Sequence, residues 1–215
     1  MTHCKRFFFA IVGLALVLVL VLAQAAPVLA AGRVEPAKAP AGLAYVVRYE
    51  GALAPDTLEL LKRVSKAETL LTSPPDSVLL LERRAEEDKT AFAKVFQSQG
   101  HFAATIAATV EAAATPLVLT YRIDTGPQFE LRRVTLAPAG GSDPAALPTP
   151  EQIGLTVPAP FAAKAIVEAE AKLTEVLHDN AHPFAKVADR QVTADFATHS
   201  VAVVWTVDAG PKALF

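Results

Sequence analysis

Beyond the first thirty residues the chain has four histidines, His101, His178, His182 and His199. His178 and His182 have the i,i+4 spacing at which two imidazoles on one helix face hold a zinc ion. Asn180 stands between them and Pro183 follows directly, so the helix is expected to end before His182. The pair reads as polar helix-end residues, not as a metal site. Glu86, Glu87 and Asp88 could supply a general acid and base, and a hydrolase acting through Asp88, Asp124 and Asp208 is one reading of the acidic residues. Neighbouring helical positions point roughly 100° apart, and Arg83, Arg84 and Lys89 stand close enough to neutralise the cluster. A solvated helix face with an Arg84–Asp88 pair is expected instead. No Ser lies in a nucleophile elbow and no Gly-rich loop cradles phosphate. Cys4, the only cysteine, precedes a long apolar run, so the chain beyond that run has no thiol chemistry. Tyr121 and Trp205 take inward positions of alternating strands and read as core. The residues ask for no catalytic site, no metal and no cofactor.

Binding is easier to derive. Phe102–Glu111 and Phe184–Asp195 are polar or small-residued for sheet members. Thr105, Thr109, Lys186, Asp189, Arg190, Gln191 and Thr193 suit an exposed edge, whose unpaired N–H and C=O groups accept an extended partner strand. The residues expected to carry this are Thr105, Ile106, Thr109 and Val110 in the first stretch. In the second they are Val187, Arg190, Val192 and Thr193. The alternative is a merely solvated edge on modules that act as spacers.

These stretches sit in a repeat of about eighty residues. Leu117, Leu119, Tyr121 and Ile123 alternate with Val118, Thr120, Arg122 and Asp124, then Gly126-Pro127. Eighty-four positions on, Val201, Val203, Trp205 and Val207 alternate with Ala202, Val204, Thr206 and Asp208, then Gly210-Pro211. Upstream, Gly100–Ile106 matches Ala181–Val187 at an offset of 81, and a hairpin loop absorbs the difference. A helix precedes each match. The first is capped by Asp76 or Ser77, buries Leu81, Ala85, Phe92 and Val95 or Phe96, and ends at Gly100. The second starts at Pro160, buries Ala162, Ala165 or Ile166, Ala169, Leu173 and Val176 or Leu177, and ends with Asn180 in the left-handed conformation. Each copy opens with a strand and a shorter helix: Leu43–Glu50 and Pro55–Val64, then Phe129–Leu136 and Pro150–Leu155. The order is therefore β-α-α-β-β twice, an α+β chain. The expected divisions are a linker over 31–42, modules over 43–126 and 127–210, and the opening of a third, interrupted module at 211–215.

Twenty-three of the first thirty residues are hydrophobic, with Lys5 and Arg6 as the only charges there. A positive start, an apolar core, Pro27 and small residues to Ala30 predict a secretory signal peptide over 1–30, the alternative being an uncleaved anchor. The remainder carries 18 basic and 22 acidic residues, which excludes a basic nucleic-acid binder.

Several segments together carry a resemblance. They are Ser73–Ser77, Leu81–Asp88, Gly100-His101-Phe102, Gly126-Pro127-Gln128-Phe129, Ala181–Ala185, Arg190 and Gly210-Pro211. In this order they resemble the POTRA domains of the BamA/TamA superfamily of outer-membrane assembly proteins, TamA-like members above all. The resemblance implies, per module, a three-stranded mixed sheet with two helices on one face. It also implies a periplasmic location, three such modules, and a C-terminal membrane barrel that inserts or folds other outer-membrane proteins. As partners it implies unfolded outer-membrane proteins or autotransporters and a TamB-like inner-membrane-anchored protein, with no nucleic acid. A membrane-tethered, POTRA-bearing division or two-partner-secretion component is the rival within the same resemblance.

Overall fold

The computed structural model describes residues 42–139 and 144–213, all within one compact body, Pro40–Phe215. The expected signal peptide, most of the linker and the last two residues lie outside the described residues. Among the described residues no helix is long and apolar enough to cross a membrane.

In the first module, β1 (Tyr45–Glu50), β2 (Thr105–Glu111) and β3 (Leu117–Asp124) form a sheet of order β1-β3-β2, with β1 parallel and β2 antiparallel to β3. Helices α1 (Pro55–Val64), α2 (Lys66–Thr69) and α3 (Val78–Ser98) join β1 to β2. Ser77 caps α3 by accepting the Leu80 amide at 3.3 Å. The buried positions of α3 are Leu81, Ala85, Asp88, Phe92, Val95 and Phe96. With Tyr45, Leu61, Leu119, Tyr121 and Ile123 the apolar ones make one core. Each fully buried large side chain contributes about 1.5–3 kcal/mol.

Asp88 is therefore not on a solvated face. It is fully buried, and Arg84 turns away from it to donate to Ser73 O (3.0 Å) and Tyr45 Oη (3.4 Å). The i,i+4 spacing allowed the pair, but burial selects partners that fill the carboxylate's lone pairs, and α2 brings those partners in.

In the second module, β4 (Glu130–Pro138), β5 (Ala159–Pro160), β6 (Lys186–Asp195) and β7 (Ser200–Asp208) form a sheet of order β5-β4-β7-β6. Helix α4 (Ala163–Asp179) buries Ile166, Ala169, Leu173 and Leu177 against Phe129, Leu131, Val201, Val203 and Trp205. Three details depart from the sequence reading. The short first helix is a 3-10 turn, Glu151–Ile153, because Pro148, Pro150 and Gly154 leave too few residues to nucleate an α-helix. Pro160 lies in β5, a two-residue fourth strand, and α4 starts three residues later behind Ala162. The left-handed residue closing α4 is Ala181 (φ 68°), not Asn180 (φ −86°).

Both long helices end in the same way. His101 N–H donates to Phe96 O and Gly100 N–H to Gln97 O; His182 N–H donates to Leu177 O and Ala181 N–H to His178 O. This is the paired-bond closure that needs one left-handed residue. Gly100 supplies it in the first module (φ 89°). A Cβ there would also lie 2.6 Å from Phe161 O, so glycine meets two demands at once. The junction is built on this corner. Phe129 N–H donates to Gly100 O and Phe161 N–H to Phe129 O, both at 2.9 Å. Phe102 leaves its own module and packs 5.3 Å, ring to ring, from both Phe129 and Phe161.

Candidate functional site

β2 and β6 are each the outer strand beside a central partner, β3 and β7. Which of their backbone groups face outward follows from the register. Leu117 N–H donates to Ala44 O, so odd-numbered residues of β3 turn their polar groups toward β1 and even-numbered ones toward β2. Thr109 lies opposite Thr120 and Thr105 opposite Asp124, so both bond into the ladder. Ile106, Ala108 and Val110, opposite Ile123, Tyr121 and Leu119, present N–H and C=O to the outer edge, which no other strand covers among the described residues.

The second sheet gives the same result. His199 O accepts Glu130 N–H and Val207 O accepts Ala139 N–H, so odd-numbered β7 residues face β4. Thr193, opposite Ala202, is thus tied into the sheet. Arg190, Val192 and Ala194, opposite Trp205, Val203 and Val201, face out. Val187, opposite Val207, also faces out, beside a register shift between Val187 and Asp189. The other edge of this sheet is partly occupied by β5, whose Pro160 brings no N–H.

Eight residues were expected at these edges. The structure places Ile106, Val110, Val187, Arg190 and Val192 with open backbone groups. It places Thr105, Thr109 and Thr193 on the same strands with only their side chains free. Ala108 and Ala194 were missed. Alternation gave the side-chain faces, but the hydrogen-bonding parity depends on where the first bond to the other neighbour falls, and that is not written in the strand itself.

Side chains of the open positions share the helix-facing side. In β6, Arg190 donates to Glu170 Oε2 at 2.8 Å, and the same oxygen accepts Trp205 Nε1–H at 3.0 Å. Val192 remains 43% exposed. The second edge therefore pairs an anchored cation with uncovered apolar surface, whereas the first offers Ile106, Ala108 and Val110, packed against the core.

The acidic residues considered for catalysis have structural partners. Asp88 accepts from Ser65 Oγ (2.6 Å), Lys66 N–H (2.6 Å), Ala67 N–H (3.1 Å) and Tyr121 Oη (2.7 Å). Burial and the bond to this carboxylate hold the Tyr121 phenol well above its ordinary range. Asp124 and Asp208 each accept an amide two residues on, from Gly126 and Gly210, at 3.0 Å. His178 is exposed on the last turn of α4, while His182 lies past its end and is buried with Nδ1 3.4 Å from Gly210 O.

Neither a protein-family model nor a curated protein matches this sequence. Among solved structures the chain is similar to POTRA3-5 of BamA from Haemophilus influenzae, at 19% identity over 80% of this chain and 67% of that one, with a TM-score of 0.43. It is similar to POTRA1-2 of the periplasmic domain of Omp85 from Anabaena, at 17% identity over 80% and 96%, with a TM-score of 0.44. It is likewise similar to POTRA1-3 of that periplasmic domain, at 17% identity and a TM-score of 0.45, where it spans 60% of the other chain's length.

Proposed function

We propose that this chain is the periplasmic, POTRA-type scaffold of a TamA-like outer-membrane assembly factor of the Omp85 kind. It holds extended segments of client or partner proteins by strand addition and makes or breaks no covalent bond. The modules span about 43–126 and 127–210, behind a signal peptide over 1–30 removed on export. Clients are unfolded outer-membrane proteins or autotransporters, and a TamB-like protein is the standing partner. The observation that carries the reading is the pair of free edges. Ile106, Ala108 and Val110 in one module, and Arg190, Val192 and Ala194 in the other, hold outward backbone groups on an ordered strand. Such a row bonds any extended backbone, whatever its side chains. The non-catalytic part is supported by Asp88, Asp124 and Asp208, whose oxygens already hold the fold's own donors.

The test is photo-crosslinking of an extended outer-membrane-protein peptide to the whole chain. Ala108→Pro and Val192→Pro each remove an outward N–H without touching the internal ladder, so capture at the altered edge falls about five-fold, the equivalent of one hydrogen bond. Thr109→Ser and Thr193→Ser leave capture unchanged. Full capture by both Pro variants, with circular dichroism showing them folded, would refute strand addition.

A further inference from the structure

We propose that Arg190 makes the open edge of the second module selective for extended segments that carry an acidic residue among apolar ones, while the edge of the first module stays indifferent to charge. This deepens the strand-addition reading above and rests on it.

The two edges differ at one matched position. Ala108 lies opposite Tyr121 and Arg190 opposite Trp205, and those aromatics hold the same place in the repeat. In the first module the carboxylate that meets the aromatic, Asp88, is fully buried, and the edge position carries only a methyl group. In the second module the carboxylate is Glu170, whose Oε2 accepts Trp205 Nε1–H at 3.0 Å and Arg190 Nη1–H at 2.8 Å. Trp205 is fully buried and its N–H needs this acceptor, which keeps Glu170 from swinging away. Glu170 in turn fixes the guanidinium.

The anchored cation is only partly engaged. The bond to Glu170 uses a single guanidinium N–H, and among the described residues Nε and Nη2 have no other partner. Arg190 stands on the outermost strand with Glu170 behind it on α4, so a strand added beyond β6 meets the cation before the anion. In an antiparallel addition the incoming residue opposite Arg190 exchanges both backbone bonds with it and sets its side chain on the same face, with Cβ atoms about 5 Å away. A carboxylate there reaches the free guanidinium N–H groups, whereas an ammonium is repelled. Other charges of β6 are engaged elsewhere. Asp189 points to the opposite face, where Gln191 donates to it, and Lys186 pairs with Asp208 at 3.8 Å. Val192 and Ala194 hold the next positions on the Arg190 face, with Val192 partly exposed, and suit apolar residues of the segment. The first edge offers Ile106, Ala108 and Val110 on that face and no charge.

The experiment presents the whole chain with photo-reactive peptides of alternating valine and threonine. They differ only at one central position of the valine face, which is Glu, Gln or Lys, and mass spectrometry maps each crosslink to its edge. At the second edge, capture of the Glu peptide is expected about three-fold above the Gln peptide and about ten-fold above the Lys peptide, as cross-strand charge pairs give. The preference shrinks as salt rises. At the first edge the peptides are captured alike. Arg190→Gln, which keeps a donor toward Glu170, abolishes the preference at the second edge without lowering capture of the Gln peptide there. Circular dichroism checks that this variant is folded, and the peptide series on the unaltered chain does not depend on it. Equal capture of the peptides at the second edge, or the same Glu preference at both edges, overturns the selectivity and leaves strand addition standing. A Glu preference that survives in folded Arg190→Gln belongs to another group and also overturns the proposal. Capture of no peptide at either edge removes the strand-addition reading and this proposal with it.

Discussion

Tyr121 on the central strand of the first module donates to Asp88 on its long helix across 2.7 Å, with the carboxylate fully buried. Trp205 holds the matching strand position in the second module and donates to Glu170 across 3.0 Å. With Gly100 set against Ala181, Glu170 stands one helical position beyond the counterpart of Asp88. That single step moves the carboxylate from the buried stripe to its flank, where Arg190 meets it. The repeat thus keeps a strand-to-helix hydrogen bond while changing both residues that make it.

Removing the Asp88 carboxylate leaves two hydroxyls and two amides without their acceptor in the interior. Asp88→Ala is expected to lower the unfolding free energy by roughly 3 kcal/mol, from the cost of stranded donors. Asp88→Asn, which keeps one acceptor oxygen, costs less. Denaturant titration followed by far-ultraviolet circular dichroism measures both, and a loss below about 1 kcal/mol for Asp88→Ala contradicts the network.

All three tyrosines, Tyr45, Tyr49 and Tyr121, have phenol pKa values raised above the ordinary value of about 10, in each case chiefly by burial. A folded-state pKa above the unfolded one means the neutral phenols stabilise the fold in full below about pH 10. That contribution is lost as pH climbs through the folded-state values. Phenolate absorbance is therefore expected to stay flat past pH 10 and then rise together with loss of helix. A separate, earlier phenolate step with the helix signal intact would contradict the burial of these rings.

Ala181 holds a left-handed φ of 68° where the first module has Gly100. Left-handed backbone costs an L-residue about 1 kcal/mol, so Ala181→Gly is expected to stabilise the second module by about that amount. The reverse change, Gly100→Ala, adds a contact with Phe161 O at 2.6 Å to the same strain and destabilises more. Thermal melts of the two variants should move in opposite directions.

Phe102 closes the junction through its contacts with Phe129 and Phe161. Phe102→Ala is expected to leave both modules folded and to broaden the distance distribution between spin labels at Lys94 and Lys172, measured after Cys4→Ser. An unchanged width would place the rigidity of the junction elsewhere, in the Phe129–Gly100 backbone bond.

Much of this molecule was legible in one dimension, for reasons of periodicity and local chemistry. Strand alternation ending in Asp-x-Gly-Pro marked β3 and β7, because alternate side chains face one core and the Asp closes its own turn on the glycine amide. Helical spacing marked the buried stripes of α3 and α4. The repeat offset marked the junction, and the polar, small-residued composition of β2 and β6 marked them as edges.

Other features depended on what packs against what. Asp88 looked solvated by its charged neighbours in sequence, yet Ser65 and the first amides of α2 enclose it from twenty residues away. Pro160 had the look of a helix start, yet β4 takes it as a strand partner. Above all, no single strand encodes which of its amides turn outward. Thr109 and Ala108 differ there only because β3 lies between two neighbours and gives alternate residues to each. Side-chain direction is a property of the chain, whereas hydrogen-bonding direction is a property of the assembled sheet, and the candidate binding edge is made of the latter.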